Sequence, residues 1–242
     1  MTLHGQISVE WGLVGAQMHS PTDFAVVVDV LCFTTTVTVA VERGIEVLPY
    51  PWAGVADDAA REFAQTHHAD LAGPRGSIGS VSLSPASMMR TASTRVVLPS
   101  PNGSSIAFAL RDQGSVVLAA SLRNATAVAA ALAGHVLAGA SVLVIAAGER
   151  WPDGSLRPAI EDLWGAGAVV NRLIDAGCEH LTPDANAAEA TFRNALIRDE
   201  MLHCPSGREL LSRGFARDLD IAGRVDSSGV VPVLEDDRFS AG

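Results

Sequence analysis

The stretch FAVVVDVL at residues 24–31 decides the fold class of this 242-residue chain. It is an almost unbroken run of apolar, mostly β-branched residues, as expected of a strand that is covered on both faces. Other short apolar runs have the same character, at residues 6–11, 45–50, 95–99, 115–120 and 141–147. Segments with helical spacing separate these runs, so the sequence predicts an α/β protein.

The helical patterns and the remaining short strands complete an alternation along the chain. Helices are predicted at residues 34–44, 53–66, 86–90, 104–112, 124–132 and 158–176, with a mostly helical remainder to residue 225. Strands are added at residues 70–72 and 230–234, and a polar loop at residues 148–157. No repeat, low-complexity tract or linker interrupts the pattern, so residues 1–242 are interpreted as a single domain.

The charged residues exclude several classes of function. Acidic residues outnumber basic ones 27 to 17, and the net charge of −10 argues against an extended nucleic-acid interface. All 17 basic residues are arginine. Without lysine, the chain has no Schiff-base lysine, no pyridoxal-phosphate anchor and no P-loop lysine. Arginine remains well suited to binding phosphate, sulfonate or carboxylate with two hydrogen bonds.

Hydropathy and cysteine content indicate where the protein works. No apolar run reaches the roughly 18 residues of a membrane-spanning helix, and residues 1–12 lack the features of a signal peptide. Three cysteines without paired spacing are typical of a reducing compartment. These features predict a soluble, cytoplasmic protein without membrane or nucleic-acid partners, and they leave a homo-oligomer open.

Asp29 is an acid inside the apolar run at residues 24–31. A lone buried carboxylate is costly unless it is paired or bound to a metal, so its position favours a metal-binding or catalytic role. A carboxylate that is simply bonded to neighbouring backbone amides is the alternative. Thr34 and Thr35 follow at a predicted helix start, where hydroxyls and free amides together suit an anion. The alternative for Thr34 is an ordinary N-cap.

Polar residues recur where other strands are expected to end, which is the edge at which α/β proteins bind ligands. Arg75 lies in the glycine- and serine-rich loop GPRGSIGS, a composition that can wrap an anion. Asn102 and Gly103 lie in SPNGSS, and Arg123 and Asn124 lie in SLRN. An ordinary turn explains each segment alone. Their repetition at successive strand ends favours binding of an anionic substrate.

Acidic residues concentrate in GERWPDGSLRPAIED, directly after the strand predicted at residues 141–147. The segment contains Glu149, Glu161 and Asp162. Glu161 and Asp162 fall in the first turns of a predicted helix, where the helix dipole alone can explain negative charge. Combined with Asp29, they form an all-oxygen donor set that suits Mg²⁺. Asp29, Glu161 and Asp162 are therefore the candidates for catalysis and metal binding.

Other patterns lack a residue that their chemistry requires. Three residues separate Cys204 from Arg208, whereas the cysteine-phosphatase loop needs five. Ser206 with Glu209 is instead predicted to form a capping box. Leu31 stands where a haloacid-dehalogenase phosphatase needs a second aspartate. No dinucleotide-binding glycine motif follows a strand, and the histidines lack zinc-site spacing.

The order of several segments resembles the 2-phosphosulfolactate phosphatase family. These segments are VVVDVLCFTTTVTVAVERGIEVLPY, GPRGSIGS, LPSPNGSSIA, AASLRNATAVA, VIAAGE, AIEDLWGAGAVVNRL and, near the end, VVPVLEDD. The resemblance spans nearly the whole chain. It implies a three-layer α/β/α fold with a mostly buried mixed sheet, and Mg²⁺-dependent hydrolysis of a phosphomonoester. The family's reaction converts 2-phospho-3-sulfolactate to 3-sulfolactate and phosphate, a step towards coenzyme M.

The family pattern falls on positions that the residues themselves had indicated. It places the strand acid at Asp29, the arginine loop around Arg75, the Asn-Gly turn at Asn102-Gly103 and the acidic helix start at Glu161-Asp162.

Three positions depart from the family pattern. Cys32 and Phe33 stand where arginine and alanine are usual, and Ala146 stands where cysteine is usual. Loss of the arginine removes a charge-assisted donor worth about 1.5–3 kcal/mol. The sequence therefore favours an active phosphatase for a small anionic phosphoester, with a substrate-diverged or non-catalytic anion-binding protein as the alternative. A purely structural subunit would leave the polar strand ends unexplained.

Overall fold

The chain folds as a large mixed sheet between two layers of helices, as predicted. A computed structural model describes residues 5–51, 58–76 and 81–242. Its strands are β1 Ile7–Trp11, β2 Phe24–Val28, β3 Glu46–Pro51, β4 Asp70–Leu71, β5 Arg95–Ser100, β6 Val116–Ala120, β7 Val142–Ala146, β8 Glu149–Arg150, β9 Leu156–Arg157, β10 Pro232–Glu235 and β11 Arg238–Ala241. Its helices are α1 Gly12–Met18, α2 Phe33–Glu42, α3 Asp58–Thr66, α4 Pro85–Met88, α5 Gly103–Asp112, α6 Ala125–Leu137, α7 Ile160–Asp175, α8 Pro183–Asn194, α9 Ile197–Met201, α10 Pro205–Ser212 and α11 Ala216–Ala222.

The FAVVVDVL stretch supplies a central strand of the sheet. β2 pairs in parallel with β6 on one side and with β7 on the other. Val26 and Val28 pack in the layer that contains α6, α7 and α8, whereas Ala25 and Val27 pack in the layer that contains α2 and α5. Each buried valine stabilises the fold by about 1.5–3 kcal/mol. Because both faces are covered, every position of the strand is apolar.

The nine strands of the main sheet follow the order β1-β7-β2-β6-β10-β11-β3-β5-β4. β1, β7, β2 and β6 form one parallel block, and β3, β5 and β4 form a second. The β10–β11 hairpin is antiparallel to the strand beside it in each block and joins the two blocks. The sheet is therefore mixed, as predicted.

The turn after β5 lies against the residues that follow β2 and β7. Asn102, just after β5, donates from Nδ2 to the carbonyl of Gly148, just after β7, at 3.0 Å. Gly103 packs so closely on Phe33 that a Cβ there would lie 2.2 Å from its ring. Three strand ends thus meet at one place.

Two tight turns explain strands that the sequence analysis missed. Asp236 and Asp237, between β10 and β11, have φ of 46° and 64°, as in the hairpin turns that match strand twist. The loop predicted at residues 148–157 contains the β8–β9 hairpin, in which Gly154 has a φ of 84°. β8, β9 and β11 have two to four residues and carry too little alternation to be recognised, whereas the strands predicted at residues 70–72 and 230–234 correspond to β4 and β10.

Two local expectations were wrong. β2 ends at Val28 rather than at residue 31, because the chain turns at Asp29 to enter α2. The capping box at Ser206 is replaced by Cys204, whose Sγ accepts a hydrogen bond from the Gly207 amide at 3.3 Å. Helix α10 begins at Pro205, so its N-cap is Cys204, two residues before the predicted Ser206.

Parts of two predicted segments lie outside the described residues. These are residues 53–57 of the helix predicted at 53–66, and residues 77–80 of the GPRGSIGS loop. Within the described ranges, no helix has both the length and the apolar character needed to cross a membrane.

Candidate active site

Asp29 lies directly after β2, buried at the carboxyl end of that strand. Its Oδ1 accepts a hydrogen bond from the Phe33 amide at 3.0 Å, which is the backbone contact considered as the alternative role. Burial raises the pKa of Asp29 to about 6, although the amides of Phe33 and Gly103 and the charge of Arg75 lower it. The charge of Glu161 raises this pKa further. Asp29 is therefore influenced by the charges of Arg75 and Glu161 as well as by its contact with the backbone amide.

Asp162 ties the ends of two strands to the first turn of α7. Its Oδ1 accepts from the Val30 amide at 2.7 Å, and its Oδ2 accepts from the Gly148 amide at 2.8 Å. Burial, together with the charges of Asp29 and Glu161, raises the pKa of Asp162 well above its ordinary value. Asp162 therefore fixes the residues that follow β2 and β7 relative to one another.

Glu161 is the buried acid of the site with an unused oxygen. Its side chain is in the first turn of α7 and only 1% of the residue is exposed. Oε2 is buried and has no hydrogen-bond partner within the described part of the chain. The Cys204 thiol lies nearby, and burial followed by the charge of Glu161 raises its pKa to about 12. A buried carboxylate oxygen without a partner is costly, so Glu161 is suited to holding a cation.

Glu149 belongs to the same acidic group, although the sequence analysis noted it only as part of an acidic segment. Burial raises its pKa to about 7, the charges of Asp29 and Glu161 raise it further, and Arg157 opposes them. Its Oε2 lies 3.5 Å from Nδ2 of Asn102. Glu149 stands just after β7, so the strand-end rule that selected Asp29 could have selected it as well.

Arg75 supplies a positive charge with an unused donor. Its side chain is only 14% exposed, and its Nε donates to the Leu83 carbonyl at 3.0 Å. Nη2 is buried and, among the described residues, makes no hydrogen bond. The charge of Arg75 acts on Asp29. The predicted arginine of the glycine-rich loop therefore influences the acid at Asp29 and keeps one guanidinium nitrogen unused.

Asn102 and Gly103 bring the β5 turn against the site. Besides its bond to Gly148, Asn102 accepts from Nε of Arg150 at 3.0 Å through Oδ1. The Gly103 amide lowers the pKa of Asp29 through a hydrogen bond, and it also donates to Oγ of Ser100 at 3.1 Å. The structure thus unites Asp29, Arg75, the Asn-Gly turn and the acidic start of α7, as the sequence predicted.

The predicted threonines shape the turn between β2 and α2. Thr34 Oγ1 donates to the Asp29 carbonyl at 2.8 Å and accepts from the Asp29 amide at 2.9 Å. Thr35 Oγ1 donates to the Val30 carbonyl at 2.8 Å. The N-cap of α2 is Cys32, so Thr34 does not fill that position. Both hydroxyl hydrogens are used by the main chain, and the threonines hold Asp29 in place.

Arg123 and Asn124 lie in a separate network after β6. Arg123 donates from Nη2 to Oε2 of Glu42 at 3.0 Å, and from Nη1 to the Ile221 carbonyl at 3.4 Å. Asn124 accepts from the Ser121 amide at 2.8 Å, and its Nδ2 donates to two carbonyls, those of Ala119 and Val230, at 3.2 Å. These bonds attach the β6–α6 turn to α2, α11 and the segment before β10. The structure does not bring the two residues into the acidic group.

Cys32 and Phe33, the departures from the family pattern, occupy different surroundings. Phe33 is fully buried in the core layer of α2, with its ring centroid 6.2 Å from that of Phe239. Cys32 is 2% exposed, follows a cis peptide bond from Leu31 and lies where Arg75 influences it electrostatically. Burial raises the pKa of its thiol. Of the two, Cys32 is the one that borders the charged groups.

The oxygen donors fit Mg²⁺ as an ion that is shared with a substrate. Glu161 offers an unpartnered buried oxygen beside Asp29. Across residues 5–51, 58–76 and 81–242, no three acidic, histidine or cysteine side chains converge as a complete metal site. Mg²⁺ is usually held by one or two carboxylates together with substrate phosphates and water. The residues therefore fit a Mg²⁺ ion that binds with a phosphoryl group.

Comparisons with known proteins agree with this arrangement. A family model described as 2-phosphosulpholactate phosphatase matches residues 14–237. A protein of Deinococcus radiodurans named "Probable 2-phosphosulfolactate phosphatase" is 31% identical over 225 residues, covering 89% of this chain and 89% of the relative. The matched region contains Asp29, Arg75, the Asn102-Gly103 turn and both acids of α7. The chain therefore belongs to the 2-phosphosulfolactate phosphatase family, and it is a phosphomonoester hydrolase.

Proposed function

We propose that this protein is a Mg²⁺-dependent phosphatase that converts 2-phospho-3-sulfolactate to 3-sulfolactate and phosphate. One observation carries the proposal: two residues of opposite charge that influence Asp29 each keep a buried atom without a hydrogen-bond partner in the described part of the chain. The two atoms are Nη2 of Arg75 and Oε2 of Glu161. A phosphoester bound together with a divalent cation would satisfy both at once. Membership in the family and the name of the relative support the choice of substrate.

Arg75 is assigned to the phosphoryl group. Its free Nη2 can donate a charge-assisted hydrogen bond, a class of contact worth about 1.5–3 kcal/mol. The low exposure of the side chain limits competition from water. The phosphoryl oxygens carry the charge that spreads during transfer, so the same contact also stabilises the transition state.

Asp29 and Glu161 are assigned to the metal. Mg²⁺ bound there would neutralise phosphoryl charge and orient the ester for in-line attack. Asp162, whose two oxygens each accept one amide, supports this pair by holding the ends of β2 and β7. The Phe33 amide bond to Oδ1 and the two Thr34 bonds fix the orientation of Asp29.

Glu149 is assigned as the general acid. Hydrolysis breaks the bond between phosphorus and the ester oxygen, and the departing oxygen then needs a proton. A carboxyl group with a pKa of about 7 holds that proton at neutral pH and can still release it. Burial and neighbouring negative charge, which raise this pKa, are the usual means of tuning a carboxyl group for this task.

A phosphatase for a different small anionic phosphoester is the second candidate, and Cys32 is the observation that favours it. A buried thiol replaces the arginine that is usual at this position. The charged groups around Asp29 would then act on an ester other than 2-phosphosulfolactate.

Phosphate release from a panel of phosphomonoesters separates these functions. EDTA-treated protein is assayed with 2-phosphosulfolactate, phosphoglycolate and p-nitrophenyl phosphate, with and without added Mg²⁺. We expect turnover only after Mg²⁺ is restored, with the highest kcat/KM for 2-phosphosulfolactate. Full turnover without metal would contradict the Mg²⁺ proposal, and a higher kcat/KM for another ester would establish the substrate-diverged alternative.

A further inference from the structure

Arg75 is held by groups that lie outside the acidic cluster. Its Nε, which donates to the Leu83 carbonyl, also lies 3.7 Å from Oδ2 of Asp218. The ring of Phe215 lies beneath the guanidinium group, with Cζ of Arg75 5.9 Å from the ring centroid. The Nε side of the guanidinium is thus occupied, and Nη2 is left free.

Asp218 is a buried carboxylate near the start of α11. Only 1% of the residue is exposed. Its Oδ1 accepts from Oγ of Ser84 at 2.7 Å and from the Ala86 amide at 3.2 Å, so it is attached to the start of α4. Its Oδ2 makes no hydrogen bond within the described residues and faces Arg75. A buried carboxylate needs compensation, and the Arg75 charge provides it on this side.

Phe215 supports the same arginine from the residue before α11. Its ring faces the guanidinium and also borders Gly76, where a Cβ would make an ordinary contact with Cζ of Phe215 at 3.9 Å. Gly76 has a φ of 86°, which a residue with a side chain rarely adopts. The backbone on the far side of Arg75 is therefore placed against the same ring.

We propose that Asp218 and Phe215 are positioning residues that aim Nη2 of Arg75 at the phosphoryl group. Asp218 fixes the Nε edge by charge, and Phe215 fixes the plane of the guanidinium by contact with its face. The free edge then points away from both supports. This inference rests on the proposed anion-binding role of Arg75, and it extends that role to a part of the chain that touches no substrate.

The test is the dissociation constant of inorganic phosphate, measured by calorimetry in the presence of Mg²⁺. Asp218→Asn should weaken phosphate binding about tenfold, and Arg75→Gln should weaken it at least as much. In the Arg75→Gln background, Asp218→Asn should have no further effect, because the residue acts only through the arginine. Asp220→Asn, at an exposed position of the same helix, is the matched control and should leave phosphate binding unchanged.

Each outcome decides between the inference and the proposed function. Unchanged binding in Arg75→Gln would overturn the role of Arg75 itself. Weakened binding in Arg75→Gln with unchanged binding in Asp218→Asn, or additive effects in the double variant, would overturn the positioning role alone. If Asp218→Asn does not fold, Phe215→Leu replaces it: we expect about threefold weaker binding that disappears in the Arg75→Gln background. Unchanged binding in a folded Phe215→Leu protein would overturn the inference.

Discussion

The turns after β2 and β6 are neighbours in the sheet and carry similar polar residues, yet they differ in how these residues are bonded. After β6, both side-chain functions of Asn124 are bonded, and Arg123 is held through both terminal nitrogens, although its buried Nε has no partner among the described residues. After β2, Asp29 is influenced by the charges of two residues that keep unpartnered buried atoms, Nη2 of Arg75 and Oε2 of Glu161.

This difference shows that a polar residue at the end of a strand is not for that reason alone a ligand-binding residue. Buried polar atoms are nearly always hydrogen-bonded, so an unbonded one marks a place where the fold sacrifices stability. Asn124 is fully bonded within the chain and contributes to folding. The unpartnered buried atoms around Asp29 fit the proposed binding of a ligand, because a ligand can supply what the chain does not.

The largest effect on turnover is expected when the charge of Asp29 is removed. We expect Asp29→Asn to lower kcat/KM for 2-phosphosulfolactate at least about a hundredfold, since each factor of ten corresponds to ~1.4 kcal/mol. The exposed residue Asp184 provides the control Asp184→Asn, which should retain full activity. A folded Asp29→Asn protein within about tenfold of the wild type would mean that Asp29 is structural.

The next change tests the metal assignment through Glu161. Glu161→Gln keeps the shape of the side chain but removes its charge, so the Mg²⁺ concentration for half-maximal turnover should rise about tenfold. Glu179, which is exposed, gives the matched control Glu179→Gln. An unchanged Mg²⁺ requirement in the folded Glu161 variant would remove this acid from the metal site.

The pH dependence of turnover tests the general acid. Because the pKa of Glu149 is raised to about 7, kcat/KM should fall as the pH rises above about 7 and the proton is lost. Glu149→Gln should lower activity and remove this limb of the profile. The same limb in the variant would assign the proton to another group.

The raised pKa of Glu149 also affects stability, with a defined sign. The folded protein keeps this proton up to about pH 7, whereas the unfolded chain loses it near 4.5. Stability therefore falls as the pH rises between these values, since the folded state binds more protons there. At pH 8 we expect Glu149→Gln to melt about 2–4 °C above the wild type. A lower melting temperature would show that the ionised side chain stabilises the fold.

The smallest effect on turnover is expected at Asn124, whose side chain is fully bonded. Asn124→Ala should destabilise the protein by about 1–3 kcal/mol, because several buried groups lose their partner. Its kcat/KM at a temperature where it is fully folded should stay within about twofold of the wild type. A large loss of kcat/KM in the folded variant would place Asn124 in the site and erase the distinction between the two turns.

These contrasts also show what could be predicted from the sequence. The apolar run at residues 24–31 can be recognised locally, because a strand covered on both faces requires a continuous apolar pattern. Asp29 stands out in that run as its one acidic residue. The grouping of Asp29, Arg75 and Glu161 followed from their places at strand ends and loops. β4 and β10 were predicted, whereas β8, β9 and β11 lacked sufficient periodicity.

The bonding state of each side chain could not be predicted in the same way. Arg123 is paired with Glu42, and Asn124 with Val230, and both partners are distant in sequence. Thr34 and Thr35 are bonded to carbonyls that become available only because β2 ends early. Asp218 lies in α11 and does not follow a strand, so its position in the sequence did not indicate its proposed role beside Arg75.

The most direct test of the account is the position of a phosphate analogue in a crystal of the wild-type protein soaked with tungstate and Mg²⁺. Tungsten scatters anomalously, so its site can be located independently of the surrounding density. We predict a tungsten peak beside Nη2 of Arg75, on the side of Asp29 and Glu161. A peak at the β6–α6 turn, in contact with Arg123 or Asn124 and with none beside Arg75, would contradict the central claim.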